Sequence, residues 1–271
     1  MQYDPIKEPL GRLFNLNPFL RRVFYSLLDI LLLRSWHVRK ALKETGALMS
    51  PYSEVLDAGM GFGQYSWWMT RTFPGWKITA ADIKSEQVAD CNAFFTDAGV
   101  ADTVKAVEAD LVTWNSNEKF DLVLCVDVME HIEEDVLVFK NFYKSLKNQG
   151  VLLISTPSDK GGSDVHNNHG QSFIDEHVRD GYSIKGITEK LMLAGFSSVD
   201  AGYTYGRPGN ISWRLSMKYP IKMLNASYLF FIVLPFYYLL TFPVSLILNV
   251  IDLSIKHKKG TGLLVTARKQ E

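Results

Sequence analysis

Residues Val55 to Gln64, Val-Leu-Asp-Ala-Gly-Met-Gly-Phe-Gly-Gln, constrain this chain more than any other stretch, because they join an apolar strand-like run to glycines at every second position. Gly59, Gly61 and Gly63 carry no Cβ and reach positive φ readily, so the backbone can turn sharply out of a strand and admit a ligand against itself. A helix starting at Gln64 or Tyr65 aims its N-terminal N–H groups at the same place. Dinucleotide loops space their glycines as G-x-G-x-x-G. The tighter spacing here follows Asp57, a carboxylate that repels a pyrophosphate and suits a ligand bearing an amino group. A glycine-rich turn with no ligand is the alternative.

From Ser53 to Thr156 strand and helix patterns alternate, which predicts a doubly wound parallel sheet. Strands are expected at Glu54–Asp57, Lys77–Asp82, Val104–Glu108, Phe120–Val126 and Gly150–Ser155, with helices at Gln64–Thr72, Ser85–Ala98 and Glu133–Leu146. Ligands of such sheets sit beyond the carboxyl ends of the strands, where Asp82 falls about twenty residues after the glycine loop, the place of a ribose-binding acid. Read alone, Asp82 also suits a helix-flanking position. His131 is a candidate base for an acceptor hydroxyl, because imidazole titrates near neutrality. A Glu130-His131 pair that only orders its loop is the other reading.

Several ordered motifs, D-A-G-M-G-F-G at residues 57–63 and F-D-L-V-L-C-V-D-V-M-E-H-I at residues 120–132, resemble the class I S-adenosylmethionine-dependent methyltransferases over Val55 to about Phe196. The resemblance implies a Rossmann-like seven-stranded sheet and S-adenosyl-L-methionine as cofactor. It implies that Asp57 and the three glycines hold the methionine part and Asp82 the ribose. Ile83 and Val126 join the cofactor site, and Asp110 with Leu111, in the run Glu108-Ala109-Asp110-Leu111, lie by the adenine.

The polar stretch Ser158 to Tyr182 reads as a loop at the ligand edge. His177 is its candidate catalytic group, as proton acceptor or orienting residue, and Arg179 a candidate anion contact; the resembling family often has an H-x-R here. His166, Asn167, Asn168 and His169 make a poor metal set, since amides bind zinc weakly and no cysteine joins them, so no metal is expected. Ser183 caps a helix that runs to Ala194 and ends at Gly195.

Two regions lie outside that core. Asn17 to Ala47 interleaves Phe19, Leu20, Val23, Phe24, Leu27 and Leu28 with arginines at helical spacing, which suits either a cap on the catalytic domain or the surface of an anionic membrane. Between expected strands at Ser198–Tyr203 and Gly262–Lys269, the run from Met223 to Ile251 carries no charged residue. It is long enough to cross a bilayer once, yet two flanking strands of one sheet require entry and exit on the same side. Pro235 and Pro243 are expected to break the run into two arms of roughly 12 residues, each reaching about 18 Å at 1.5 Å per residue, as a shallow re-entrant or in-plane hairpin. Arg214, Lys218 and Lys222 before it and Lys256, Lys258 and Lys259 after it match an anionic cytoplasmic leaflet. A greasy lid or dimer interface in a soluble enzyme is the alternative.

The expected domains are therefore 1–50, helical; 51–205 with 260–271, the donor-binding domain; and 206–259, a hydrophobic membrane-associated insert. Lysine plus arginine equals aspartate plus glutamate at 29 each, so nothing in the charge argues for nucleic acid. Cys91 and Cys125 lack metal-ligand spacing and read as free thiols in a reducing compartment, and the N-terminal stretch does not read as a secretory signal. The function expected is a methyltransferase at the cytoplasmic face of a membrane acting on a hydrophobic or lipid-linked acceptor, O-methylation preferred with N and C open. A non-catalytic, methyltransferase-like membrane scaffold is the alternative, and a nicotinamide oxidoreductase suffers from the glycine spacing.

Overall fold

The computed structural model describes residues 17–161, 178–227 and 229–270. Seven strands form one sheet: β1 (Glu54–Ala58), β2 (Lys77–Asp82), β3 (Val104–Glu108), β4 (Phe120–Val126), β5 (Leu146–Pro157), β6 (Ser198–Thr204) and β7 (Gly262–Arg268). Their order is β3-β2-β1-β4-β5-β7-β6, with β7 antiparallel to both its neighbours. The order reverses between β1 and β4, which opens a crevice at the carboxyl ends of those strands.

Period-two alternation sorts the strand side chains onto two faces. Leu56, Val123, Cys125, Leu152 and Ile154 face one layer, where Val138, Phe139 and Phe142 of α5 (Asp135–Ser145) and Ile187 and Leu191 of α6 (Ile184–Leu193) cover them. Val55, Leu122, Leu124 and Leu153 face the other layer. That side is covered by α1 (Pro18–Leu31), α2 (Leu33–Gly46), α3 (Gln64–Thr72) and α4 (Ser85–Asp97). Ser183 caps α6 by accepting from the Gly186 N–H at 3.0 Å, and Gly195 follows its last turn at φ +113°.

The N-terminal region forms a cap. Asn17 accepts from Phe19 N at 2.8 Å to start α1, and Pro18 occupies its first turn. Arg21 is buried, donating to Tyr25 Oη at 2.8 Å, Asp90 O at 2.9 Å and Phe62 O at 3.0 Å. Tyr25 also donates to the Phe62 carbonyl. The cap thus grips the glycine loop from behind.

The insert departs from expectation. It is a helical hairpin, but neither proline makes its turn. The first arm runs through α7 (Arg207–Trp213), a π-helical turn (Arg214–Lys218) and α8 (Tyr219–Ala226). The chain then reverses before α9 (Phe230–Ser254), which continues through both Pro235 and Pro243. At 1.5 Å per residue, the arms reach about 30 Å and about 37 Å, not about 18 Å. Antiparallel contacts fix the pairing: Gly209 N donates to Asp252 Oδ2 at 2.9 Å, and Ser212 Oγ to Ser245 O at 3.1 Å.

The first arm escaped notice because Arg214, Lys218 and Lys222 exclude it from the apolar run. Its irregular backbone is repaired from across the hairpin. In the π turn the Tyr219 N–H reaches back to Arg214 O, and Pro220 has no N–H to offer. Leu215 O and Ser216 O are thereby deprived of their ladder donors. Tyr237 Oη donates to the first and Tyr238 Oη to the second, each at 2.8 Å.

Candidate functional site

All three loop glycines are left-handed, with φ of +75°, +53° and +75° at Gly59, Gly61 and Gly63. They differ in what surrounds them. A Cβ on Gly59 would meet Val128 Cγ2 at 2.2 Å, and one on Gly63 would meet Cys91 and Phe95 at 3.1 Å. A Cβ on Gly61 would meet nothing within 4 Å. Gly59 and Gly63 therefore let the loop pack, whereas Gly61 turns its bare face to open space at the strand ends.

Hydrogen bonds bring the predicted residues together. Gly59 N and Met60 N donate to Ala81 O, at 2.8 and 3.0 Å. Asp82 at the end of β2 accepts from Gly61 N at 2.9 Å and Lys84 N at 3.0 Å, so its carboxylate ties the loop to the next strand. Ala109 N donates to Asp82 O at 2.9 Å, which sets Asp110 beside Asp82. Asp110 Oδ1 accepts from Val112 N at 2.8 Å, Leu111 is buried, and Ile83 is exposed at the same edge. Val126 ends β4 opposite Ser155.

Asp57 is buried and accepts from Ser66 Oγ at 2.6 Å. Burial pushes its carboxyl up to about 6, with the Ser66 hydroxyl opposing and the charge of Asp82 adding to the rise. Such a group gains from an ammonium partner. The bare face of Gly61, the poised Asp57, and Asp82 and Asp110 at the ends of neighbouring strands together suit an elongated ligand with an amino group at one end.

Beyond β4 the chain enters a segment that sequence reasoning left half-read. Asp127 has φ +51° and pairs with Arg34, the second residue of α2. The Arg34 N–H donates to Tyr205 Oη at 2.7 Å, and the Arg34 Nε is buried without a hydrogen-bond partner among the described residues. Glu130 is buried in the short 3-10 turn Met129–His131, where Thr156 Oγ1 donates to it at 3.1 Å. Burial raises the Glu130 carboxyl, while the neighbouring charges of His131 and Arg34 pull it back. His131 closes this turn, half-buried at the crevice.

Arg34 and Tyr205 are the residues the sequence did not reveal as part of this edge. Arg34 looked like one arginine of an amphipathic helix, and no spacing signal marks Tyr205. Arg179, expected as an anion contact, is instead structural. Its guanidinium donates to Met129 O at 2.6 Å, Ile132 O at 2.7 Å and Glu133 O at 3.2 Å, which fixes the His131 turn. His177, like His166 to His169, lies outside the described residues, and its neighbour Val178 donates to Glu130 O at 3.0 Å. Among the described residues, no group of three or more His, Cys, Asp or Glu side chains is placed to hold a metal.

The family described as "Methyltransferase domain" matches residues 55–150, from β1 into β5. Over that span the chain is similar to the class I S-adenosylmethionine-dependent methyltransferases. The chain is 27% identical over 103 residues to a "Ubiquinone biosynthesis O-methyltransferase" of Rickettsia bellii, a match covering 38% of this chain and 41% of the relative. It is 27% identical over 154 residues to "Phosphoethanolamine N-methyltransferase 1" of Zea mays, covering 56% of this chain and 30% of the relative. The chain thus spans less than half the length of either. Its fold is similar to that of Haemonchus contortus phosphoethanolamine N-methyltransferase 2, solved in complex with S-adenosyl-L-methionine, with a TM-score of 0.62 at 17% identity over 92% of this chain and 60% of that one. The edge from Asp57 to Asp110 has the chemistry to fit S-adenosyl-L-methionine, the molecule bound in that neighbour.

Proposed function

We propose that this methyltransferase acts at the cytoplasmic face of a membrane on a hydrophobic or lipid-linked acceptor, with oxygen as the preferred receiving atom. One observation carries the membrane part: α9 is long and apolar enough to cross a bilayer, it buries few of its residues, Leu234, Ser245, Asn249 and Asp252, and its base is bonded to the cap beside the donor edge. His37 Nε2 lies 2.9 Å from Asp252 Oδ1, and Lys40 Nζ donates to Leu253 O at 3.0 Å. The hairpin and the α2 cap, which carries Arg34 to the crevice, therefore form one joined structure.

The hairpin is chemically suited to lipid. The hydroxyls of Thr241, Ser245 and Ser254 each donate to the helix carbonyl four residues back, at 2.9, 3.0 and 2.6 Å. With Tyr237 and Tyr238 serving the carbonyls freed by the π turn and Pro220, the hairpin meets these groups from within, as a membrane environment requires. Arg214 and Lys222 are exposed on the first arm. Sinking such cations to mid-bilayer costs about 3 kcal/mol each on insertion scales, so the favoured pose lies in the interface plane, with α9 towards the acyl chains and the first arm at the headgroups.

When bound, S-adenosylmethionine supplies a methyl group already activated on sulfonium sulfur. The chain's task is to hold donor and acceptor in line and dry. In this reading Asp57 pairs with the donor's ammonium, Asp82 receives the ribose hydroxyls, and Asp110 with Leu111 flanks the adenine. Ile83 and Val126 line the same path. His131 accepts the proton of an acceptor hydroxyl. Arg34, held between Asp127 and Tyr205, confines the acceptor side. The relative named for ubiquinone biosynthesis supports a lipid-linked hydroxyl. Lipid extracts of cells with and without the protein test the reading: a protein-dependent species heavier by one methylene unit supports it, and identical extracts contradict it.

A further inference from the structure

α1 is amphipathic in the inverse sense of a helix packed on a soluble domain. Its inward face buries Arg21 and Tyr25, at 4% and 1% exposure. Its outward face carries Phe19, Val23, Leu27 and Ile30, at 68%, 37%, 44% and 44% exposure. Spacings of four, four and three place these apolar residues in one stripe. Water gains nothing from this arrangement, since Arg21 spends its donors internally while four large apolar side chains face out.

The helix that carries the stripe ends beside the base of the hairpin. Three residues after Ile30, Leu33 packs so closely on α7 that a Cβ at Gly209 would meet its Cδ2 at 2.6 Å. From there α2 runs along the end of α9, joined by the His37–Asp252 and Lys40–Leu253 contacts. Exposed cations accompany both apolar surfaces: Arg22, whose guanidinium lies 5.5 Å from the Trp67 ring centre, beside the stripe, and Arg214 and Lys222 on the hairpin.

We propose that the Phe19–Val23–Leu27–Ile30 face of α1 is a second membrane contact that rests on the same anionic bilayer surface as the hairpin. The inference rests on the membrane reading given above. The cap that grips the glycine loop is then itself lipid-bound, and α1, α2 and the hairpin frame the acceptor's route from the bilayer to the donor edge. The occupant is an anionic phospholipid surface: the stripe-bearing helix ends beside the base of an apolar helix of bilayer-spanning length, and Arg22, Arg214 and Lys222 are exposed cations alongside.

The test uses the full chain with an environment-sensitive fluorophore on Leu27→Cys or, separately, on Leu240→Cys in α9. Cys91 and Cys125 are buried and escape labelling. Vesicles are phosphatidylcholine, with or without about a quarter phosphatidylglycerol. Both probes are expected to shift to the blue and brighten roughly twofold on anionic vesicles, and unlabelled Val23→Asp/Leu27→Asp to partition about tenfold less than wild type while retaining its near-ultraviolet circular dichroism. A shift at residue 240 with none at 27 overturns the inference and leaves the hairpin reading standing. No shift at either position, with no flotation of the wild type, removes the membrane reading and this inference with it. A shift at residue 27 that depends on protein concentration without vesicles assigns the face to a second copy of the chain and overturns the inference.

Discussion

The glycine loop and the hairpin both contain backbone that departs from regular structure, and they treat it in opposite ways. At the loop, left-handed φ falls on residues without a Cβ, and Gly61 leaves its face open for a ligand. In the hairpin, the π turn and Pro220 free two carbonyls, and Tyr237 and Tyr238 close them from the other helix. One region keeps backbone accessible because a polar molecule must reach it. The other meets these two carbonyls from within the hairpin, which suits surroundings without water. Irregularity alone thus does not mark a site; what meets the irregular backbone does.

The sharpest way to break this contrast is at Gly59. Gly59→Ala puts a Cβ within 2.2 Å of Val128 at positive φ, so it should lower unfolding free energy by about 3 kcal/mol and cut S-adenosylmethionine affinity by more than about 100-fold, read by thermal unfolding and calorimetry. Gly61→Ala should cost only about 1 kcal/mol in stability, yet weaken the donor at least about tenfold, because its Cβ enters the open face. Equal effects of the two would erase the distinction between packing and ligand-facing glycines. His131→Ala should slow transfer to a hydroxyl acceptor by about 100-fold while leaving donor affinity within about twofold; a matching loss of affinity would make the residue structural.

Asp57 gives an effect of opposite sign on stability and binding. Its folded-state carboxyl is raised to about 6 by burial, so without ligand it favours the folded state below the unfolded value near 3.8, and that advantage is lost as pH rises through about 6. Donor binding should run the other way, strengthening as pH rises through about 6 because the ammonium needs the ionised carboxylate. Asp57→Asn should flatten both profiles, bind the donor about tenfold more weakly at neutral pH, and be more stable than wild type without ligand by on the order of 2 kcal/mol. The smallest effect on donor binding is expected in the hairpin. Tyr237→Phe with Tyr238→Phe should cost about 2 kcal/mol in unfolding and leave donor affinity unchanged; a change in donor binding would show that the two regions are coupled.

Much of the donor edge was legible because its chemistry is local. Glycines, a strand-ending Asp82 and alternating apolar residues carry their meaning within a few positions, and the expected bounds of β2, β3, β4 and α3 coincide with those found. The edge around Asp127 was less legible because it is assembled from distant segments. Arg34 reaches Asp127 across 93 positions of sequence and Tyr205 across 171, and no pattern along the chain records such a meeting. The hairpin was foreseen as an insert with both ends on one side, but its turn was misplaced. Pro235 and Pro243 looked like breaks, and the charges of the first arm hid its helicity, since the tyrosine donors that complete it come from the other arm.

The most direct test of a membrane-face methyltransferase is transfer of labelled methyl from S-adenosylmethionine by the purified full chain to vesicles reconstituted from the lipid extract of cells lacking the protein. Label should enter the organic phase with wild type and not with Asp82→Asn. Donor binding without any labelled lipid, or label confined to water-soluble products, would contradict the account.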